Sequence, residues 1–169
     1  MRCHAQAGSD QGSRTRCFLF LDIDGVMIPF GDQAITPDCA ANLRKIMTAV
    51  PELCIVMSST WRAPPIERLE RIWRQASLPW SWIRDCTPDL AGAPGSVPEK
   101  LRGLEIRCWL EDNTHEGAGY AILDDQTDEI EPCFPPSVIF RTDPMHGLTH
   151  STARTIIRLL RRLQSKPRP

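Results

Sequence analysis

The sequence has little that would mark a membrane-spanning, disulfide-bonded or strongly charged protein. No apolar run approaches the roughly 18 residues of a membrane-spanning helix. The chain has 20 Lys and Arg against 21 Asp and Glu, and its formal net charge is −1. It therefore has no overall positive charge that would attract nucleic acid or an anionic membrane. The seven cysteines never stand in Cys-x-x-Cys spacing, which favours neither a disulfide framework nor a zinc site. We therefore expect no membrane contact and a reducing, cytoplasmic setting.

The length and the two ends of the chain predict one domain with short tails. The first 16 residues are polar and lack the apolar segment of a signal peptide. We expect residues 1–16 to be a disordered tail, residues 17–164 to form one domain, and residues 165–169 to be a C-terminal tail. Only three of the 20 basic residues are lysines. This arginine bias fits either genomic composition or the handling of phosphate.

Short apolar runs alternate with helical patterns throughout this domain. Buried strands are predicted at residues 17–21, 53–57, 120–123 and 138–140, with a shorter one near residues 80–86. Helices are predicted at residues 36–51, after residues 64–65, at residues 101–111 and at residues 150–163. Strands that alternate with helices predict a parallel sheet with right-handed crossovers. The predicted fold class is therefore α/β, a three-layer α/β/α sandwich around a central parallel sheet of about five strands.

Polar side chains follow three of the predicted strands at the point where each strand ends. They are Asp22 and Asp24, then Ser58 and Ser59, and then the acids Asp124, Asp125 and Asp128. The carboxyl ends of parallel strands meet at one edge of a sheet, so these groups can converge on one crevice. Carboxylates gathered there need a cation such as Mg²⁺, and hydroxyls suit a phosphate oxygen. The alternative is that each strand ends independently in a solvated turn, since Asp-x-Asp-Gly is common at turns.

Two of these strand ends resemble motifs of the haloacid dehalogenase (HAD) superfamily of phosphatases and phosphotransferases. Asp22, Asp24 and Gly25 match its first motif, a hydrophobic strand followed by Asp-x-Asp-Gly. Ser58 matches the second motif, a strand that ends in Ser or Thr, and Ser59 is a near-equal candidate. The resemblance implies a HAD-like, Rossmannoid fold in which Asp22 forms an aspartyl-phosphate and Asp24 acts as acid and then as base. It also implies that Ser58 bonds a phosphoryl oxygen, with Ser59 as a second substrate contact.

The acids after the third strong strand resemble the family's fourth motif, an acidic pair or a spaced acid. Asp124, Asp125 and Asp128 match it. The resemblance implies that Mg²⁺ is held by Asp22, by the backbone carbonyl of Asp24, and by Asp124 or Asp125. Asp128 would be a further ligand or a neighbour of the ligands.

The family's third motif is a lone Lys or Arg upstream of the fourth, and it leaves a choice. Arg102 is our first choice, Lys100 the second and Arg107 the third. The resemblance implies that this residue neutralises charge on the phosphoryl group. Trp61 and Arg62, just after the second motif, are candidates for substrate contact. The equally good alternative is a tryptophan in the core and an arginine on the surface.

A closer resemblance covers about residues 18–150. The strings LDIDGV, SSTWR, RGxEIxxWL, ILDD and GLT occur in this order, and together they resemble the HAD domain associated with Swiss Army Knife RNA repair proteins. A role in RNA repair is an association with that family and not an inference from the residues. Only about 30 residues separate Val26 from Met57, enough for a turn and one helix, so we expect a minimal cap or none. An open site suits nucleic-acid ends, nucleotides or phosphoproteins.

The sequence thus predicts a Mg²⁺-dependent phosphohydrolase acting on phosphate monoesters, with nucleic-acid ends or nucleotides as favoured substrates. Two alternatives use the same motifs. One is a catalytically weak phosphate-binding partner module, although such a module has no need for Asp24. The other is a phosphotransferase, in which another acceptor replaces water.

Overall fold

The computed structural model describes residues 16–63, 66–95, 97–113 and 118–165, so the predicted tails fall almost entirely outside the described residues. The described strands are β1 (Cys17–Leu21), β2 (Cys54–Met57), β3 (Ile83–Cys86), β4 (Gly119–Asp124) and β5 (Ile139–Arg141). The described α-helices are α1 (Pro37–Ala49), α2 (Glu67–Gln75), α3 (Leu101–Asn113) and α4 (His150–Gln164). None of these helices is long and apolar enough to cross a membrane.

The five strands form one sheet in which all neighbours are parallel. Their order is β3-β2-β1-β4-β5, so β1 lies at the centre between β2 and β4. The chain therefore builds the sheet outward from its middle, first on one side and then on the other. The predicted α/β sandwich with a five-stranded parallel sheet is confirmed.

The side chains of β1 alternate between two apolar cores, one on each face of the sheet. Leu19 and Leu21 belong to the larger core, which includes residues of α1, α2 and α4. Phe20 belongs to the smaller core, where its ring packs edge-on against Trp109 of α3, with the ring centroids 5.5 Å apart. Because helices cover both faces, β1 is apolar at every position. This continuous pattern is the one that identified the strand in the sequence.

The segment that follows β5 is bonded to the loop that follows β1. The amide of Leu148 donates to the carbonyl of Val26 at 2.8 Å, and the amide of Phe30 donates to the carbonyl of Pro144 at 2.8 Å. Asn42 of α1 donates from Nδ2 to the carbonyl of Leu148 at 2.9 Å. The loop that carries the Asp-x-Asp-Gly motif is therefore held by a part of the chain more than 100 residues away in sequence.

The buried face of helix α3 differs in part from the predicted one. The spacing of Leu104, Cys108 and Trp109 predicts one apolar face for this helix; Trp109 is buried, but Leu104 and Cys108 are only half-buried. Gly103 and Ile106 are buried instead. A Cβ at Gly103 would come within 2.7 Å of Cys133 Sγ, so the backbone of the helix itself packs at this point. A periodicity count based on apolar side chains gives no weight to such a glycine, so it predicts Leu104 and Cys108 to be more buried than they are.

Two element ends also differ from the prediction. Residues Trp80–Trp82 form a turn of 3-10 helix, so β3 begins only at Ile83. Strand β4 runs one residue further than expected and includes Asp124. This carboxylate therefore starts from the regular backbone of the sheet and not from a loop.

Candidate active site

The polar residues that end β1, β2 and β4 lie side by side at one edge of the sheet. The amide of Asp22 donates to the carbonyl of Leu123 at 3.0 Å, and the amide of Ser58 donates to the carbonyl of Leu21 at 3.0 Å. The hydrogen-bond ladder of the sheet thus continues to Asp22 and Ser58 and fixes their backbones. The convergence expected for a parallel sheet is present.

Three carboxylates form the centre of this edge. Asp22, Asp124 and Asp125 place oxygen atoms within 4.8 Å of one another, and we call them the carboxylate triad. All three residues are buried. Burial, and then the charge of Asp22, raises the pKa of Asp124 to about 7. Burial also raises the pKa of Asp22 and that of Asp125. Ionising the triad is therefore costly unless a cation lies beside it.

Arg102 places a positive charge against the triad. Its Nη1 lies 3.0 Å from Asp22 Oδ1 and 3.4 Å from Asp124 Oδ2. The same guanidinium donates to the carbonyl of Ser58. Burial lowers the pKa of Arg102, but the charges of Asp124 and Asp22 outweigh it, so the pKa is raised and the side chain stays charged. A single guanidinium offsets only part of the charge of three carboxylates.

Of the three basic residues predicted for this role, Arg102 alone contacts the triad in the described structure. Lys100 is exposed in the 3-10 turn that precedes α3. Arg107 donates to the carbonyl of Cys133 at 3.1 Å. It lies five residues beyond Arg102, more than one full helical turn, and therefore points from another face of α3.

Gly25 allows the loop after β1 to approach the triad. Its φ of +69° lies in the left-handed region that favours glycine. A Cβ at this position would come within 2.5 Å of Asp125 Cγ. Both the backbone conformation and the available space therefore require glycine as the last residue of the Asp-x-Asp-Gly motif.

The two serines after β2 make different contacts. The side chain of Ser59 hydrogen-bonds Asp22 and so opposes the effect of burial on the pKa of that carboxyl. Ser59 Oγ also accepts a hydrogen bond from the amide of Trp61 at 3.4 Å. Ser58 Oγ is buried and has no hydrogen-bond partner among the described residues. Because an unsatisfied buried hydroxyl is costly, Ser58 is the serine that a bound oxyanion would satisfy.

Asp24 lies outside the triad. It is exposed, and its Oδ2 accepts a hydrogen bond from Nε1 of Trp61 at 2.8 Å. Trp61 is half-buried, and the guanidinium carbon of Arg68 lies 4.0 Å from its ring centroid. The sequence carried no signal of the contact between Trp61 and Asp24, which are 37 residues apart.

Two further predicted site residues are not brought to the triad. Asp128 is exposed, and its Oδ1 lies 4.0 Å from Arg141 Nη1, so its position does not support a role as a metal ligand. Arg62 forms a buried ion pair with Glu105 at 2.7 Å and donates to the carbonyl of Ser59 at 3.2 Å. It therefore braces the turn after β2, and it also lines the cleft that contains Arg102. Sequence reasoning gave no role to Glu105, although this residue is the Glu of the string RGxEIxxWL.

A cleft of about 560 Å³ opens beside the triad. Its walls come from the turn after β2, the loop after β3 and the start of α3, and they include Thr60, Thr87, Leu101 and Arg102. Because Arg102 both lines the cleft and contacts the triad, the two spaces are adjacent. The cleft can take the part of a ligand that lies beyond the group bound at the triad.

Comparison with known families identifies this arrangement. Residues 18–153 match the family described as the HAD domain in Swiss Army Knife RNA repair proteins. The chain belongs to this family. The match begins in β1 and ends within α4, so the HAD domain includes the triad, Arg102 and both serines. None of the curated proteins matches the sequence. The resemblance drawn from the motifs is confirmed, and membership in the HAD family indicates a phosphatase-type domain.

The residues of this HAD domain fit Mg²⁺, which HAD proteins generally use. The triad offers only oxygen donors, which a hard divalent cation prefers. When all three carboxyls, whose oxygen atoms lie within 4.8 Å of one another, are ionised, their negative charge exceeds that of the one guanidinium beside them. The side chains that could hold the ion are therefore Asp22, Asp124 and Asp125.

Proposed function

We propose that this HAD domain is a Mg²⁺-dependent phosphohydrolase that acts through an aspartyl-phosphate on Asp22. The observation that carries the proposal is the carboxylate triad with Arg102 at its side, built where the central strand of the sheet ends. The position of Asp24, two residues beyond Asp22 and outside the triad, supports hydrolysis because it leaves a second carboxyl available for proton transfer.

Asp22, Asp124 and Asp125 would hold the metal. Bound Mg²⁺ would draw a phosphoryl group to the triad and offset the negative charge that develops on its oxygens. Arg102 adds a fixed positive charge, and its bond to Asp22 Oδ1 holds that carboxylate in one orientation. The unpartnered hydroxyl of Ser58 supplies a hydrogen bond to a phosphoryl oxygen.

The covalent steps take place on Asp22. An oxygen of its carboxylate bonds to phosphorus while the bond from phosphorus to the leaving oxygen breaks, and Asp24 gives that oxygen a proton. Asp24 then takes a proton from water as the water oxygen bonds to phosphorus. The bond between Asp22 and phosphorus breaks, inorganic phosphate is released, and both carboxyls return to their starting states.

We propose nucleic-acid ends or nucleotides as the substrates. The chain between β1 and α1, which the structure describes throughout, contains turns and no inserted domain that would cover the triad. The cleft of about 560 Å³ gives space for the part of a substrate beyond its phosphate. The description of the family as a domain of RNA repair proteins agrees with this substrate class.

The experiment that tests this proposal compares wild type and Asp22→Asn on para-nitrophenyl phosphate, with Mg²⁺ and with EDTA. We expect phosphate release from wild type with Mg²⁺, none with EDTA, and a loss of about 100-fold or more in the variant, since it removes the nucleophile. Asp128→Asn, which changes an exposed acid, is the matched control and should keep its activity. Full activity of Asp22→Asn would overturn the mechanism.

Two other results would redirect the function. Binding of phosphate that depends on Mg²⁺, without turnover of any ester, would favour a phosphate-binding module. Transfer of the phosphoryl group to an added alcohol in preference to water would favour a phosphotransferase. Oligonucleotides phosphorylated at the 5′ or 3′ end, compared with mononucleotides, then test the substrate class.

A further inference from the structure

We infer that Trp61 is a positioning residue that holds Asp24 in place for proton transfer, an inference that rests on the function proposed above. The indole Nε1 of Trp61 lies 2.8 Å from Asp24 Oδ2. The carboxyl of Asp24 is exposed, so without this bond its side chain would exchange between rotamers in water. An indole has one donor and no acceptor, so it can fill only one role toward a carboxylate. The contact therefore selects one orientation of Asp24.

The indole is itself held from several directions. Its ring packs partly against the larger core, and the guanidinium of Arg68 lies over it at 4.0 Å from the ring centroid. The backbone amide of Trp61 donates to Ser59 Oγ at 3.4 Å. The donor that faces Asp24 is therefore part of a packed turn and not a free side chain on the surface.

The same turn also holds the nucleophile. The side chain of Ser59 hydrogen-bonds Asp22, and the indole two residues later bonds Asp24. Arg62 holds the turn in place, since it donates to the carbonyl of Ser59 at 3.2 Å and pairs with Glu105 at 2.7 Å. One short segment thus sets the positions of both aspartates, which is the preorganisation that proton transfer and nucleophilic attack require.

The bond from Trp61 occupies Oδ2 of Asp24 and leaves Oδ1 to meet the leaving oxygen of the ester. Loss of the indole N–H should therefore slow the step in which Asp24 gives up its proton. This step matters most when the leaving oxygen is strongly basic, as in an alkyl phosphate. An aryl phosphate such as para-nitrophenyl phosphate departs with little need for a proton. The effect of the substitution should therefore depend on the leaving group.

The test measures kcat/KM of wild type and Trp61→Phe, with Mg²⁺, on para-nitrophenyl phosphate and on a simple alkyl phosphate. Phenylalanine keeps an aromatic ring for packing and for Arg68 but removes the donor. We expect a loss on the order of 10-fold on the alkyl ester, as for a hydrogen bond to a charged group, and about twofold or less on the aryl ester. The ratio of the two values is taken within one sample, so a lower folded fraction cancels.

Three controls complete the design. Trp82→Phe makes the same change at another half-buried tryptophan that packs on the larger core, and it should leave the ratio unchanged. Asp24→Asn should lose about 100-fold or more on the alkyl ester and much less on the aryl ester. If Trp61 acts through Asp24, the double variant Trp61→Phe with Asp24→Asn should be no slower than Asp24→Asn alone.

The outcomes separate this inference from the proposed function. Wild type that hydrolyses neither ester would overturn the proposed function and the inference with it. Asp24→Asn that slows both esters equally would overturn the acid role of Asp24, on which the inference rests, but not hydrolysis itself. If Asp24→Asn discriminates between the esters while Trp61→Phe slows both equally or neither, the function stands and the positioning role of Trp61 is refuted. The positioning role is supported if Trp61→Phe loses activity on the alkyl ester only and if the double variant is no slower than Asp24→Asn alone.

Discussion

Without a metal, this protein should be less stable at pH 8 than at pH 5.5, and Asp124→Asn should remove much of that difference. The pKa of Asp124 is raised from 3.8 to about 7, first by burial and then by the charge of Asp22. In the unfolded chain the same group ionises near its ordinary value, so between these two pH values the folded protein binds more protons. The stability that this group contributes is therefore complete below about pH 4 and is lost as the pH rises through about 7.

The size of the effect follows from the shift. About three pKa units correspond to about 4 kcal/mol at 1.36 kcal/mol per unit. Roughly 2 kcal/mol of this loss falls between about pH 5.5 and about pH 8, because the unfolded chain is already ionised over that whole interval. Asparagine at position 124 keeps an oxygen for the amide of Gln126, which donates to Asp124 Oδ1 at 2.9 Å, but it cannot ionise.

The assay is urea unfolding of wild type and Asp124→Asn in EDTA at the two pH values. Relative to wild type, the free energy of unfolding of the variant should rise by about 2 kcal/mol from the lower pH to the higher. Asp128→Asn, an exposed site, is the control and should show no such rise. Mg²⁺ at 100 times its Kd should stabilise wild type by about 2.7 kcal/mol at the higher pH, and the variant less. An equal difference between variant and wild type at both pH values would refute this reasoning.

Two other substitutions test the packing around the site. Gly25→Ala should lower the free energy of unfolding, measured by thermal unfolding, by about 1–3 kcal/mol and should weaken the stabilisation by Mg²⁺. Gly31→Ala, also at positive φ but with open space around it, should leave the stabilisation by Mg²⁺ unchanged. The same response to Mg²⁺ in both variants would contradict the steric argument. Glu105→Gln leaves Arg62 buried without its counter-charge and should lower the free energy of unfolding in urea by about 3 kcal/mol. Glu70→Gln, which breaks a more exposed ion pair, should lower it by about 0.5 kcal/mol or less. Equal losses of unfolding free energy in Glu105→Gln and Glu70→Gln would show that the buried pair contributes no more to stability than the exposed one.

The sheet and its acidic edge could be predicted because they follow from local patterns. Strand β1 is covered on both faces, so its apolar run is unbroken and ends abruptly at Asp22. The end of β4 at Asp124 follows the same pattern. Parallel strands then bring their carboxyl ends together whatever the details of the crossovers, so the triad required no knowledge of side-chain orientation.

The contacts between side chains across the edge could not be predicted in this way. The choice among Arg102, Lys100 and Arg107 depends on the first residue and rotation of α3, and apolar spacing does not fix these when a glycine packs on the inner face. The bond between Trp61 and Asp24 joins two irregular segments 37 residues apart. Such contacts depend on loop geometry that no periodic pattern encodes.

The cross-linked loop after β1 has a consequence for how a substrate enters. The bonds from Leu148 to Val26 and from Phe30 to Pro144 join the two sides of this loop to the segment after β5. A swinging cover on this side would have to break both bonds at every turnover. For the phosphohydrolase proposed above, the mouth of the site would therefore be preformed here, and selection among substrates would depend on fit to this opening and not on closure around the bound molecule.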